Sequence, residues 1–164
     1  LLGRLAAHQL DAVLADQPVP PYLARSMRGR LLLKSGLSFV AAPHVCKTLS
    51  GDFPACLEGA PLIAGSADSP LSIAIDAWLA ERGVTPRVVA RCDDSALIKV
   101  LAQRGLGLAC VATVIESDVA TQFGLQCVGR VPKLNELLYL IRPTGRHVHP
   151  LLDEIEAGAA GDAP

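Results

Sequence analysis

The sequence predicts an α/β fold with a largely parallel sheet and helices on both of its faces. Between Leu62 and Val111, apolar runs of strand length alternate with segments whose apolar residues recur at helical spacing, and the joining loops are short. The strand-length runs are continuously apolar, the pattern of strands covered on both sides. With 51% hydrophobic and 19% charged residues over 164 positions, the chain has enough apolar surface for one domain or two small lobes.

Leu1, Leu2, Leu5 and Ala6 repeat at helical spacing, and after the polar pair His8-Gln9 the run from Ala12 to Ala15 reads as a buried strand ending at Asp16. Pro18, Pro20 and Pro21 then forbid regular structure. Two extended segments, Gly29 to Lys34 and Leu37 to Ala42, are expected about Ser35-Gly36, the second closed by Pro43. Phe53 to Gly59 reads as a helical turn or two, and Leu62 to Ala64 as a short strand. A loop of small residues, Gly65 to Ser69, follows, and Pro70 suits the first turn of a helix. Leu71, Ile75, Trp78 and Leu79 hold one helical face until Gly83, where a left-handed cap is expected. Arg87 to Arg91 is a strand. Asp93, Asp94 and Ser95 cap a helix with the face Leu97, Val100 and Leu101, closed by Gly105. Leu106 to Val111 follows as a buried strand and Val114 to Gln122 as a short helix. Strands at Gln126 to Val131 and Leu137 to Arg142, and an amphipathic helix from Pro150 to Glu156 ahead of a Gly/Ala-rich tail, complete the set.

The balance of charge excludes some functions. Fifteen Lys and Arg against sixteen Asp and Glu leave a net charge of -1, so the chain by itself has no electrostatic footprint for nucleic acid. The longest apolar run, Leu106 to Val114, is far too short for a membrane span. No export signal opens the chain, which points to the cytoplasm, and Cys46, Cys56, Cys92, Cys110 and Cys127 are spaced as reduced thiols rather than as a disulfide framework or metal knuckle. A start at Leu1, inside an expected helix, reads as a fragment. No cofactor and no metal are expected.

Two strand-to-helix junctions, Gly65 to Leu71 and Cys92 to Ser95, lie where open α/β sheets bind ligands. In the first, helix-start N–H groups and the Ser66 and Ser69 hydroxyls suit a polar effector, although Ser69 or Asp68 serving only as a helix cap needs the same chemistry. Asp68 disfavours an anion there. Asp93-Asp94 reads as a helix-start pair complementing the dipole rather than as catalytic carboxylates, and His147 and His149 as a solvated terminus. No nucleophile with a base partner, G-x-S-x-G elbow or P-loop is present, so catalytic residues are not expected.

The stretches LLGRLAAHQLDAVLADQP, CDDSALIKVLAQRGLGLACVAT and NELLYLIRPTGRHVHPLLDEI, in this order, resemble the effector-binding domain of LysR-type transcription regulators. The resemblance runs through nearly the whole chain. It implies a periplasmic-binding-protein-like fold of two α/β lobes, truncated at its N-terminus: residues 1–35 and 129–164 in the first lobe, 36–128 in the second, with an effector cleft between them. Ser66, Ser69 and Leu71 match family positions that face this cleft, and Thr113 one near the hinge. It further implies promoter DNA bound through a helix-turn-helix outside this chain, RNA polymerase as a partner, and a homo-oligomeric parent. ADQPVPPYLARSMRGRLLLKSGLSFVAAP and GDFPACLEGAPLIAG are most similar to activators of sodium/proton antiporter genes. If an alkali cation is the effector, Asp68 and Asp16 are the carboxylates to examine, since hard cations take oxygen ligands. Redox sensing is not expected, because no cysteine lies between Cys56 and Cys92. The alternative reading is a solute-binding protein or an enzyme on the same two-lobed fold.

Overall fold

The computed structural model describes residues 1–145 and 150–158, with the side chain of Pro150 left aside. The chain divides into two compact units, Leu1–Lys34 with Glu136–Pro164, and Ser35–Asn135. Both boundaries fall inside long strands, β2 (Met27–Ala41) and β6 (Gln126–Pro143), which belong to both units.

In the first unit, the short helix α1 (Leu2–Ala6) and strand β1 (Val13–Ala15) precede β2. β1 pairs antiparallel with the end of β6, Val13 opposite Ile141 and Ala15 opposite Tyr139. Leu5, Val13, Met27 and Ile141 are buried together as the core. The C-terminal helix α6 (Pro150–Gly158) is fastened by charge. Arg142, buried at the end of β6, donates from Nη2 to Glu156 at 3.2 Å and from Nη1 to Asp153 at 3.2 Å, while Arg30 reaches Glu156 at 3.3 Å.

The second unit carries the larger core. β3 (Pro61–Ala64) and β4 (Arg87–Arg91) are parallel, and Leu62 bridges in parallel to Leu108, just ahead of β5 (Ala109–Ala112). β5 in turn lies antiparallel to the second half of β2, Leu37 opposite Ala112 and Val40 opposite Ala109. Helices α2 (Pro43–Cys46), α3 (Pro70–Ala80), α4 (Ser95–Gln103) and α5 (Glu116–Phe123) complete it. Phe39, Phe53 and Trp78 form a ring cluster with centroids 5.8–6.1 Å apart, the geometry of favourable aromatic pairs.

Three expectations are corrected. The two extended segments about Ser35-Gly36 are one strand, and so are the two about Pro132. Gly36 is needed for close approach rather than for a turn, since a Cβ there would stand 3.1 Å from the Cα of Pro132. Parallel pairing is confined to β3, β4 and the Leu62–Leu108 bridge, and the remaining described ladders are antiparallel. Pro43 does close a strand, but it also opens α2, because a proline at the first helical position has no N–H to leave unpaired.

Candidate functional site

β3 and the strand leading into β5 are parallel neighbours, so the segments that follow them, Gly65 to Ser69 and Thr113 onward, emerge at the same end, the carboxyl end, of adjacent strands. β4, parallel to β3, sends Cys92 to Asp94 out at that end as well.

The first segment is shaped by its own hydrogen bonds. Ser69 is the N-cap of α3: its hydroxyl accepts the N–H of Ser72 at 3.1 Å and lies 2.9 Å from the Ser72 hydroxyl. Ser66 donates to the Asp68 carboxylate at 2.6 Å. That hydrogen bond holds Asp68, exposed on the loop, below its usual pKa, so the loop carries a negative charge at neutral pH. Leu71 is half-buried and packs against the core beneath. An arginine from β4, Arg91, donates to the Gly65 carbonyl at 3.3 Å and ties the loop to the neighbouring strand.

The third segment starts a helix in the same way. Asp94 accepts the N–H groups of Ala96 and Leu97 at 2.7 and 3.2 Å as the N-cap of α4, the structural role expected for the Asp93-Asp94 pair.

Thr113 anchors a polar cluster in the second unit. Its hydroxyl lies 2.9 Å from that of Ser38, a fully buried residue of β2, and Ser38 donates to Glu116 at 2.6 Å. Arg130 of β6 closes a two-pronged pair with Glu116, Nε at 2.9 Å and Nη2 at 2.7 Å. The Arg130 guanidinium, more than burial opposes it, together with the Ser38 hydroxyl and the Cys127 thiol, pulls Glu116 down to a pKa of about 2. Burial and the adjacent Glu116 push the Cys127 thiol up, which disfavours the reactive thiolate. Ser35 completes the cluster, accepting the Val114 N–H at 3.0 Å.

Of the residues singled out in the sequence, Ser66, Asp68, Ser69 and Leu71 share one loop and helix start, and Thr113 follows the neighbouring strand. Asp16 is exposed after β1, in the first unit, apart in sequence and unit from the others. His147 and His149 lie outside the described residues. Sequence reasoning missed Ser38, Glu116 and Arg130: Ser38 stands 75 residues from Thr113 and 78 from Glu116, and Glu116 stands 14 from Arg130, so no local motif joins them. Among the described residues, no three or more His, Cys, Asp or Glu side chains are placed to hold a metal, and no helix is long and apolar enough to cross a membrane. A cavity of about 330 Å³ in the first unit, lined by Leu5, His8, Met27 and Thr144 among others, contains none of the candidate residues.

Comparison with known proteins follows the same lines. A family model described as the LysR substrate binding domain matches residues 1–156. The regulatory domain of CcmR from Synechocystis PCC6803, in complex with 2-PG, is similar at a TM-score of 0.70 and 16% identity, over 98% of this chain and 79% of that one. The apo regulatory domain of HypT from Salmonella typhimurium gives 0.73 and 17%, over 98% and 78%. DarR from Vibrio fischeri, in complex with DNA, gives 0.69 and 17%, over 96% of this chain and 53% of that one, so the chain spans about half of that longer regulator. A search of curated proteins finds no match. At these identities the solved structures speak for the fold.

Proposed function

The chain belongs to the LysR substrate-binding domain family, the effector-binding part of transcription regulators rather than an enzyme, and from that premise we propose that it senses a small polar or ionic effector at the carboxyl ends of β3 and β5. One observation carries the reading: the parallel bridge Leu62–Leu108 brings out, on one side of the second unit, a helix start bearing Ser66, Asp68, Ser69 and Leu71 and the junction bearing Thr113. Helix starts offer N–H groups without intrahelical partners, and the serine hydroxyls add adjustable donors and acceptors. The 2-PG held by the CcmR regulatory domain supports a small-molecule ligand for a domain of this fold.

In this reading residues 1–35 with 129–164 and residues 36–128 act as two lobes, and the effector favours one of two lobe arrangements by its differential affinity. The parent regulator works in the cytoplasm as a homo-oligomer, grips promoter DNA through a helix-turn-helix outside this chain, and acts on RNA polymerase there. The regulated genes are sodium/proton antiporter genes, supported by the resemblance of 15–43 and 51–65 to activators of such genes, and if the effector is an alkali cation, Asp68 in the second unit and Asp16 in the first are, each by itself, the carboxylates to examine as oxygen ligands.

The test is a gel-shift assay with antiporter promoter DNA. The chain alone, net charge -1, should give no specific complex, whereas the intact regulator should bind with an affinity that sodium or lithium changes. Salt-sensitive, sequence-specific binding by the chain alone would overturn the sensor reading, and indifference to both ions would overturn the antiporter assignment. Ser66→Ala isolates the loop: among the described residues the Ser66 hydroxyl bonds Asp68 alone, on an exposed loop, so the variant should melt normally while the effector midpoint of the intact regulator moves.

A further inference from the structure

The hydroxyls around Thr113 form a chain whose direction the charges dictate. Glu116, ionised at neutral pH, can only accept hydrogen bonds. Two of its acceptor positions are taken by Arg130, at 2.9 and 2.7 Å, and a third by Ser38 at 2.6 Å. Ser38 has a single proton and is fully buried, and so short a contact to a carboxylate, which can only accept, commits that proton to Glu116. The 2.9 Å contact between the Ser38 and Thr113 oxygens then needs the proton of Thr113. Thr113 donates to Ser38, and Ser38 donates to Glu116. With its own proton directed inward, Thr113 has only lone pairs left to offer.

The other hydroxyl of the cluster does not restore a donor at this point. The Ser35 hydroxyl is spent as well, donating to the Gly36 carbonyl at 2.9 Å while accepting from Val114. The charge of Arg130 is matched by Glu116, so the pair is neutral as a unit. Reversing the chain to free the Thr113 proton would turn the Ser38 proton away from Glu116 and leave a buried hydroxyl facing a carboxylate with lone pair against lone pair.

We propose that Thr113 meets its effector as a hydrogen-bond acceptor only, so that the ligand group placed against it is a donor, a hydroxyl or an ammonium, and not a carboxylate or phosphate oxygen. This rests on the reading of Thr113 as an effector-facing residue; the donor order within the chain does not. Ser38 and Glu116 are positioning residues in this arrangement, setting the specificity of a side chain they never share with the ligand.

Neutron diffraction from crystals of the chain grown in heavy water reads the donor order directly. Deuterium is expected on Thr113, directed at Ser38, and on Ser38, directed at Glu116; deuterium on Ser38 directed at Thr113 overturns the proposal. The ligand side is read from the NMR signal of the Thr113 γ-methyl group during titration with methylammonium chloride and with sodium acetate. The shift with methylammonium should exceed that with acetate severalfold, and Ser38→Ala, which removes the acceptor for the Thr113 proton, should raise the acetate response. An acetate shift as large as the methylammonium shift in the unmodified chain, or a ratio unmoved by Ser38→Ala, overturns the specificity. No shift with either probe, with the deuterium in its expected place, overturns Thr113 as a ligand-facing residue and leaves the donor order standing.

Discussion

Replacing Ser69 by Ala removes more than a helix cap, because the residue it caps is itself a buried serine. The Ser69 hydroxyl accepts the Ser72 N–H at 3.1 Å and pairs with the Ser72 hydroxyl at 2.9 Å, and Ser72 is only 6% exposed. Ser72 Oγ lies 2.8 Å from the place a Cβ on Gly65 would occupy, so it is walled in on that side. Loss of the cap alone costs about 1 kcal/mol. The stranded Ser72 hydroxyl adds about another 1 kcal/mol, the low end for a buried unsatisfied group, since a helix serine can turn to the carbonyl four residues back. The total of about 2 kcal/mol lowers Tm by roughly 4–8 °C in a chain of this size. The double variant Ser69→Ala/Ser72→Ala removes both hydroxyls and retains only the cap loss, about 1 kcal/mol. Thermal melts followed by circular dichroism on the two variants decide the matter. A double variant no more stable than the single one, or a single variant within about 0.5 kcal/mol of the parent, would refute the coupled account.

Arg142→Leu strands Glu156 beside an exposed Arg30 and should cost about 3 kcal/mol, the lower end for a broken buried pair, whereas Arg142→Leu/Glu156→Leu should recover most of it; urea denaturation of both shows whether the second change rescues the first. Glu116 has its folded pKa depressed to about 2 from an ordinary 4.5, so its contribution to stability is full above about pH 4.5 and is lost as pH falls toward 2. Acid denaturation of Glu116→Gln should accordingly lack part of that slope, and parallel curves for variant and parent would sink the assignment. Gly129→Ala places a Cβ against the Phe53 ring, which is packed on Trp78, closer than van der Waals contact allows, and should destabilise by about 1–3 kcal/mol through overpacking; an unchanged melting midpoint would show that Phe53 moves aside freely.

Most elements of the fold were legible because each rests on a local rule. The helix from Pro70 has proline at its first position and a serine cap, and the glycine expected to close it, Gly83, does sit at a φ of 64°. The helix from Ser95 is announced by Asp94 and the strands Pro61–Ala64 and Arg87–Arg91 by short apolar runs. What local rules misjudged was the meaning of small and cyclic residues in long strands. Ser35-Gly36 and Pro132 are turn signals in isolation, yet in the structure they are where β2 and β6 approach each other, Gly36 under Pro132. Only tertiary packing distinguishes a glycine that bends a chain from one that admits a neighbour.

The candidate site divides along the same line. Ser66, Asp68, Ser69 and Leu71 lie within one loop and its helix, so cap chemistry read from sequence brings them together at once. The cluster at Thr113 draws instead on β2, the start of α5 and β6, with Ser38 and Glu116 separated by 78 residues and Glu116 and Arg130 by 14. No spacing rule connects a strand serine to a helix-start glutamate across such a distance. One trace of the cluster is nevertheless local. Glu116 opens α5, where an acidic residue complements the helix dipole. That ordinary explanation would have sufficed to set it aside, and only the pairing with a buried hydroxyl and an arginine turns the same carboxylate into the end of a directed hydrogen-bond chain.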